Sequence, residues 1–215
     1  DQATVLVIPE SFRVLGQKLR VFVTGARAPD QIGTLANAIA EIGCTVLTAP
    51  TRTRAVIAVG GGITAMSNVQ AGMPGLVLAE AKDNEFLPSR PRPMELDTTT
   101  VDWIHPTAIP GLTIGPLLGR EFSSVAPQRR IPALDGLDVS DVLMGTFRGA
   151  LGDEAALTAQ ACYGDGKAVV TTLRLVETSR TDPLARAILV ALLRYVISDA
   201  CSPQTRIVAP SDTMG

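Results

Sequence analysis

Three cysteines, one histidine and one tryptophan are the scarce residues of this 215-residue chain, and covalent chemistry would begin with the first two types. A catalytic thiol nucleophile sits on a strained turn after a strand, with a histidine near enough to take its proton. Cys44 stands at the start of an expected strand, Cys162 in the first arm of an expected hairpin, and Cys201 after the last expected helix. The turn after the fourth expected strand reads Ala79-Glu80-Ala81-Lys82 and holds no cysteine. His105 lies in a proline-rich stretch. Two thiols are therefore expected in the core and the third at a helix end. The cysteine and histidine spacing matches no metal site, and no cofactor is expected.

Other residue groups could hold a ligand. Gly60-Gly61-Gly62 follows an expected strand, and backbone amides at a helix start attract anions. It lacks the lysine and Ser/Thr of a P-loop, so a plain turn at the sheet edge competes with a small-anion or sugar contact. Trp103 and His105, in Val-Asp-Trp-Ile-His-Pro, could stack on a sugar ring or a partner domain, or simply plug the loop. Glu80 with Asp83 or Glu85 would supply the two acids of glycoside hydrolysis, although acids at a strand end are usually solvated. Arg129-Arg130 reads as a solvated or inter-domain pair. The candidate ligand residues are Gly60, Gly61, Gly62, Trp103 and His105, with no catalytic residue.

The elements that must position these groups centre on residues 157–198. Two apolar-rich segments, 157–163 and 167–175, flank Gly164-Asp165-Gly166, where glycine supplies a hairpin turn. Thr181 or Asp182 caps a following helix with Pro183 in its first turn. Apolar residues at 184, 188, 189, 192, 193 and 196 form a helical stripe, widened by Ala185, Val190 and Ala191 until only Arg186 and Arg194 clearly face water.

Upstream, 19–24, 44–48, 55–59 and 75–79 read as short buried strands. A helix over about 30–43, begun by Asp30 and ended by Gly43, and a brief helix over 63–71 lie between them. This order predicts an α/β chain with a mostly parallel open sheet, flavodoxin-like in layout. Residues 83–132 carry many prolines and little periodicity, an excursion that packs on a neighbour or is partly flexible. A short turn and helix is expected from Pro132. Residues 3–8 read as a strand of this domain or of a preceding one, and the tail after Ser198 as loose.

Apolar residues make up 46% and charged residues 19%, enough for a core and against disorder. The net charge of −2 gives no electrostatic footprint for nucleic acid. No apolar run reaches the length of a bilayer span.

Three stretches resemble the class I glutamine-amidotransferase-like (flavodoxin-like) accessory domain at the C-terminal end of bacterial family 2 and β-galactosidase-like glycoside hydrolases. The stretch from Asn68 to Glu80 (NVQAGMPGLVLAE) looks like that family's helix, glycine turn and strand. The stretch from Ile131 to Val142 (IPALDGLDVSDV) looks like its HP-x-x-x-G-L-x-x-x-D-L segment, with Ile131 where histidine is usual. Tyr163-Gly-Asp-Gly, then Asp182-Pro-Leu-Ala-Arg and Leu192-Leu-Arg-Tyr, look like its strand pair and closing helix, with Ala191 where asparagine is usual. The resemblance covers most of 18–198. It implies a flavodoxin-like three-layer sandwich with a C-terminal hairpin and closing helix, and a non-catalytic role beside a sugar-cleaving domain outside this chain. The implied partners are other domains of the same polypeptide or further copies, with carbohydrate as the ligand class and neither nucleic acid nor membrane. A sugar or small-anion binding module, or a cysteine-dependent hydrolase or amidotransferase, are the competing readings. Residues 1–17 then form a strand or remnant of a preceding domain, 18–199 the α/β domain, and 200–215 the tail. The absence of an initial methionine fits a processed chain or a piece of a longer one. Such enzymes are often exported, yet three unpaired thiols sit easily in a reducing cytosol, so the compartment stays open.

Overall fold

The computed structural model describes residues 8–12, 19–25, 29–50, 56–61, 63–79, 92–93, 100–105, 117–132, 136–149 and 153–207. In chain order the strands and helices are β1 (Arg20–Gly25), α1 (Pro29–Glu41), β2 (Thr45–Leu47), β3 (Val56–Gly61), α2 (Ile63–Gln70) and β4 (Gly75–Leu78). There follow β5 (Arg92–Pro93), β6 (Thr100–Ile104), β7 (Arg129–Pro132), β8 (Val142–Arg148), β9 (Asp153–Tyr163) and β10 (Gly166–Thr171). α3 (Leu175–Thr178), α4 (Pro183–Ile197) and β11 (Arg206–Ile207) complete the order.

The first half follows the expected alternation of strand and helix. β2, β1, β3, β4 and β10 lie side by side, and the four pairings among them are parallel. α1 ends where Gly43 adopts a φ of 91°, and the Cys44 and Gly43 amides close the last turn on Ile39 and Ala40. The helix starts one residue early, so Asp30 stands in its first turn rather than at its cap.

From β10 onward the sheet changes character. β9 runs antiparallel to β10 across the Gly164–Asp165 turn, as the hairpin requires. β9 also carries β7 and β8 antiparallel and β11 parallel, while β6 pairs β8 and β5 pairs β7 antiparallel. Among the described residues, five parallel and five antiparallel pairings result. The expected mostly parallel, flavodoxin-like sheet is therefore corrected to a mixed one. The source of the difference is the stretch read as an excursion, which supplies β6 and β7, and the stretch read as turn and helix. The latter forms one 3-10 turn at Val139–Asp141 and then strand β8.

Strand alternation divides the core in two. Leu76, Leu78 and Val169 face a cluster that includes Leu35, Ile39, Ile188 and Leu192 from α1 and α4. Val77, Ala168 and Val170 face the opposite cluster, with Met66 and Val69 of α2 and with Ile131, Val142 and Ala156. α4 is buried along most of its length, as its wide apolar stripe demands, with Arg186 and Arg194 half-buried. Asp182 caps it by accepting from the Leu184 amide at 2.8 Å, and Ser124 donates to the other carboxylate oxygen. Arg180 and Arg186 both reach Glu41 at the end of α1, at 3.1 and 3.5 Å.

The segment after α4 is held rather than loose. Cys201 and Thr205 are buried, and β11 pairs with the end of β9. Residues 1–7, 13–18 and 208–215 lie outside the described residues, and with them all but Ile8 of the expected N-terminal strand. No helix among the described residues is long and apolar enough to cross a membrane.

Candidate functional site

Trp103 lies on β6 directly opposite Gly145 of β8. A Cβ built at Gly145 would sit 2.4, 2.5 and 2.8 Å from indole Cζ2, Cε2 and Nε1. The Cζ2–Cε2–Nε1 side of the indole therefore packs directly against the glycine, and a larger residue there would collide with it. Leu117 returns to bridge Trp103, and the Leu118 amide donates to the Asp102 carbonyl at 2.9 Å. Two residues along each strand, Val101 and Phe147 pair on the same face and are partly open to solvent. Glu154 of β9 stands opposite Phe147. Trp103, Val139, Val142, Phe147 and Glu154 line a groove of about 450 Å³, and Glu154 is its one ionisable lining residue.

His105 follows β6 and is exposed, with its amide donating to the Leu143 carbonyl at 2.9 Å. It does not line the groove. The glycine triplet lies elsewhere. Gly60 and Gly61 belong to β3 itself rather than to a loop after it, and Gly62 lies outside the described residues. Gly60 is buried with a φ of 146°, and a Cβ there would fall 1.5 Å from the Thr24 carbonyl oxygen on β1. Glycine is thus required by the close approach of two strands. Between β3 and β6 the path runs through β4, β10, β9 and β8, a separation of about 24 Å at the usual strand spacing. The structure does not bring the glycines and Trp103 together.

The thiols occupy three different settings. Cys44 and Cys201 are buried, and burial pushes both up to about 11. Cys162 is half-buried, and its thiol donates to the Pro203 carbonyl at 3.5 Å. It lies on a polar cleft of about 390 Å³ at the hairpin turn, with Asp165, Lys167 and Asp199. Lys167 is engaged there, donating to the Ser198 and Cys201 carbonyls at 2.7 and 3.0 Å and so satisfying the end of α4. Glu80, Asp83 and Glu85 lie outside the described residues, and Arg129 and Arg130 form part of β7. No metal-binding group of His, Cys, Asp and Glu occurs among the described residues.

Two sets of residues escaped the sequence reading. Gly145, Phe147 and Glu154 complete the groove, and a glycine amid apolar residues at 142–147 was the available signal for a strand with a close approach. Asp141, Gln160 and Tyr195 form a buried polar chain. The Asp141 carboxylate accepts from Gln160 Nε2 at 2.9 Å and from the Gln204 and Thr205 amides at 3.0 and 2.5 Å. Tyr195 donates to Gln160 Oε1 at 2.8 Å. Burial, with smaller effects of Cys201 and Asp141, pushes the Tyr195 phenol up to about 12. A glutamine among alanines in Ala159-Gln160-Ala161 was the sign of a buried polar partner.

No family model and no curated protein sequence matches the chain. Among solved structures, the chain is similar to a β-galactosidase from Rahnella sp. R3, at 15% identity and a TM-score of 0.42. The likeness covers 82% of this chain and 32% of that one, so the chain spans about a third of that enzyme's length.

Proposed function

We propose that this chain is a non-catalytic accessory domain of a multidomain, carbohydrate-active glycoside hydrolase of the β-galactosidase-like kind, contributing inter-domain or oligomer contacts. The observation that carries the reading is where the residues of the family-like motifs lie. Gly164 turns the hairpin with a φ of 57°, Asp182 caps α4, and Leu192 and Tyr195 are buried in its core-facing surface. Ile131, where histidine is usual in the resembling family, is fully buried among apolar neighbours and offers no proton-transfer group. Cys44 and Cys201, whose ionisation burial opposes, are poor nucleophiles at neutral pH.

Incubating the isolated chain with aryl glycosides and with glutamine tests the proposal. We expect release of neither phenol nor ammonia above the rate in buffer. Turnover that a Cys162→Ser change abolishes would replace it with a cysteine-dependent hydrolase.

A further inference from the structure

We propose that the groove beside Trp103 is a saccharide-binding site, in which one pyranose ring stacks on the indole. The choice of ligand agrees with the carbohydrate-active reading above, but the groove's own chemistry carries it. The Cζ2–Cε2–Nε1 side of the indole packs against Gly145, and Trp103 also lines the groove. Phe147 and Val139 line the groove with side chains 37% and 68% exposed, and Val101, the cross-strand partner of Phe147, is 43% exposed beside it. A flat aromatic surface open to solvent suits the C–H face of a sugar ring, which is apolar, while the ring's hydroxyls need partners at the rim.

The rim supplies both kinds of partner. The indole N–H donates no hydrogen bond among the described residues, so a hydroxyl oxygen that reaches it gains a donor. The Glu154 carboxylate, exposed at the edge of β9, accepts from hydroxyl hydrogens. A donor and an acceptor flanking an aromatic plate match a neutral ligand whose hydroxyls both give and take hydrogen bonds. An organic ammonium would use the carboxylate and the ring face but leave the indole donor idle. The volume, about 450 Å³, falls in the range of roughly 300–1,000 Å³ usual for small-molecule sites.

Trp103 is the chain's single tryptophan, so its fluorescence reports on this groove alone. Titrating the chain with galactose, lactose and cellobiose should shift the emission saturably for at least one of them. Half-saturation is expected near about 1 mM, the affinity that one stacked ring and a few hydrogen bonds support. Phe147→Ala and Glu154→Gln alter exposed side chains and keep the reporter, and each should weaken binding by about five- to tenfold. Unchanged melting of both variants would show that the loss is local. Emission unmoved by all three sugars up to about a hundred times that concentration would overturn the proposal, as would a shift produced by choline but by none of the sugars. Saccharide binding that both variants leave intact would also overturn it. These outcomes are separate from the accessory-domain reading, which fails through turnover by the chain rather than through loss of binding.

Discussion

Asp141 is fully buried, yet its carboxylate meets three donors, two of them backbone amides of the segment after α4. Removing it would strand those donors away from water. Asp141→Ala should lower stability by about 2–4 kcal/mol in denaturant titration and speed amide exchange at Gln204 and Thr205. The opposite sign is expected at Thr146, whose buried hydroxyl has no hydrogen-bond partner among the described residues. Thr146→Val keeps the shape and should raise stability by about 0.5–1 kcal/mol. The thiols and the phenol set an alkaline limit. Cys44, Cys201 and Tyr195 have folded pKa values raised to about 11, 11 and 12 from ordinary values of 9.0, 9.0 and 10.0. The folded chain therefore holds protons that the unfolded chain releases. Their contribution is full below pH 9 and is lost as pH rises from about 9 toward 11 and 12. Melting temperature should fall across that window, and less steeply in Cys44→Ala. Residue chemistry of this sort was only partly legible in the sequence. Burial of Cys44 followed from its place in an apolar segment, but the second buried thiol is Cys201 after α4 rather than Cys162 of the hairpin, which is half-buried, and Asp141 gains its partners from residues 19 and more than 60 positions away.

At the scale of elements, the legible parts were those whose signal is local. The hairpin turn needs Gly164, and α4 begins at Asp182-Pro183 and carries its own 3.6-residue stripe, so the turn and the helix were read nearly in place, while the outer ends of the two arms lie four residues from their expected positions. Asp182→Ala removes both the cap and the bond from Ser124, and should cost about 1–2 kcal/mol by thermal or chemical denaturation. β8 was missed because its pattern is broken by Gly145 and by register shifts near Met144, and because β6 precedes it by some forty residues. Strands of that kind are fixed by their partners rather than by their own sequence. β3 runs past its expected end for a related reason. Gly60 and Gly61 look like a loop in isolation, but they pair with Thr24 and Gly25. A Gly60→Ala change would force a methyl group onto the Thr24 carbonyl and should destabilise the chain by more than about 2 kcal/mol, measurable as a lower melting temperature.

At the scale of the molecule, the parallel half corresponds to what the strand and helix alternation predicted, and the antiparallel half does not. The long strand β9 joins the two, bonded to β10 and β7 along one edge and to β8 and β11 along the other. Proline content and weak periodicity concealed the strands that pack there, so the groove around Trp103 was visible in the sequence as one aromatic residue without its walls. Among the polar residues of the family-like stretches, Asp141 and Tyr195 are held in buried hydrogen bonds and Asp182 caps α4. The most direct measurement compares this chain with the full-length product of its gene in a panel of aryl glycosides. The accessory-domain account predicts turnover by the longer protein and none by the chain alone. Turnover by the chain alone, at a rate equal to that of the longer protein, would contradict it.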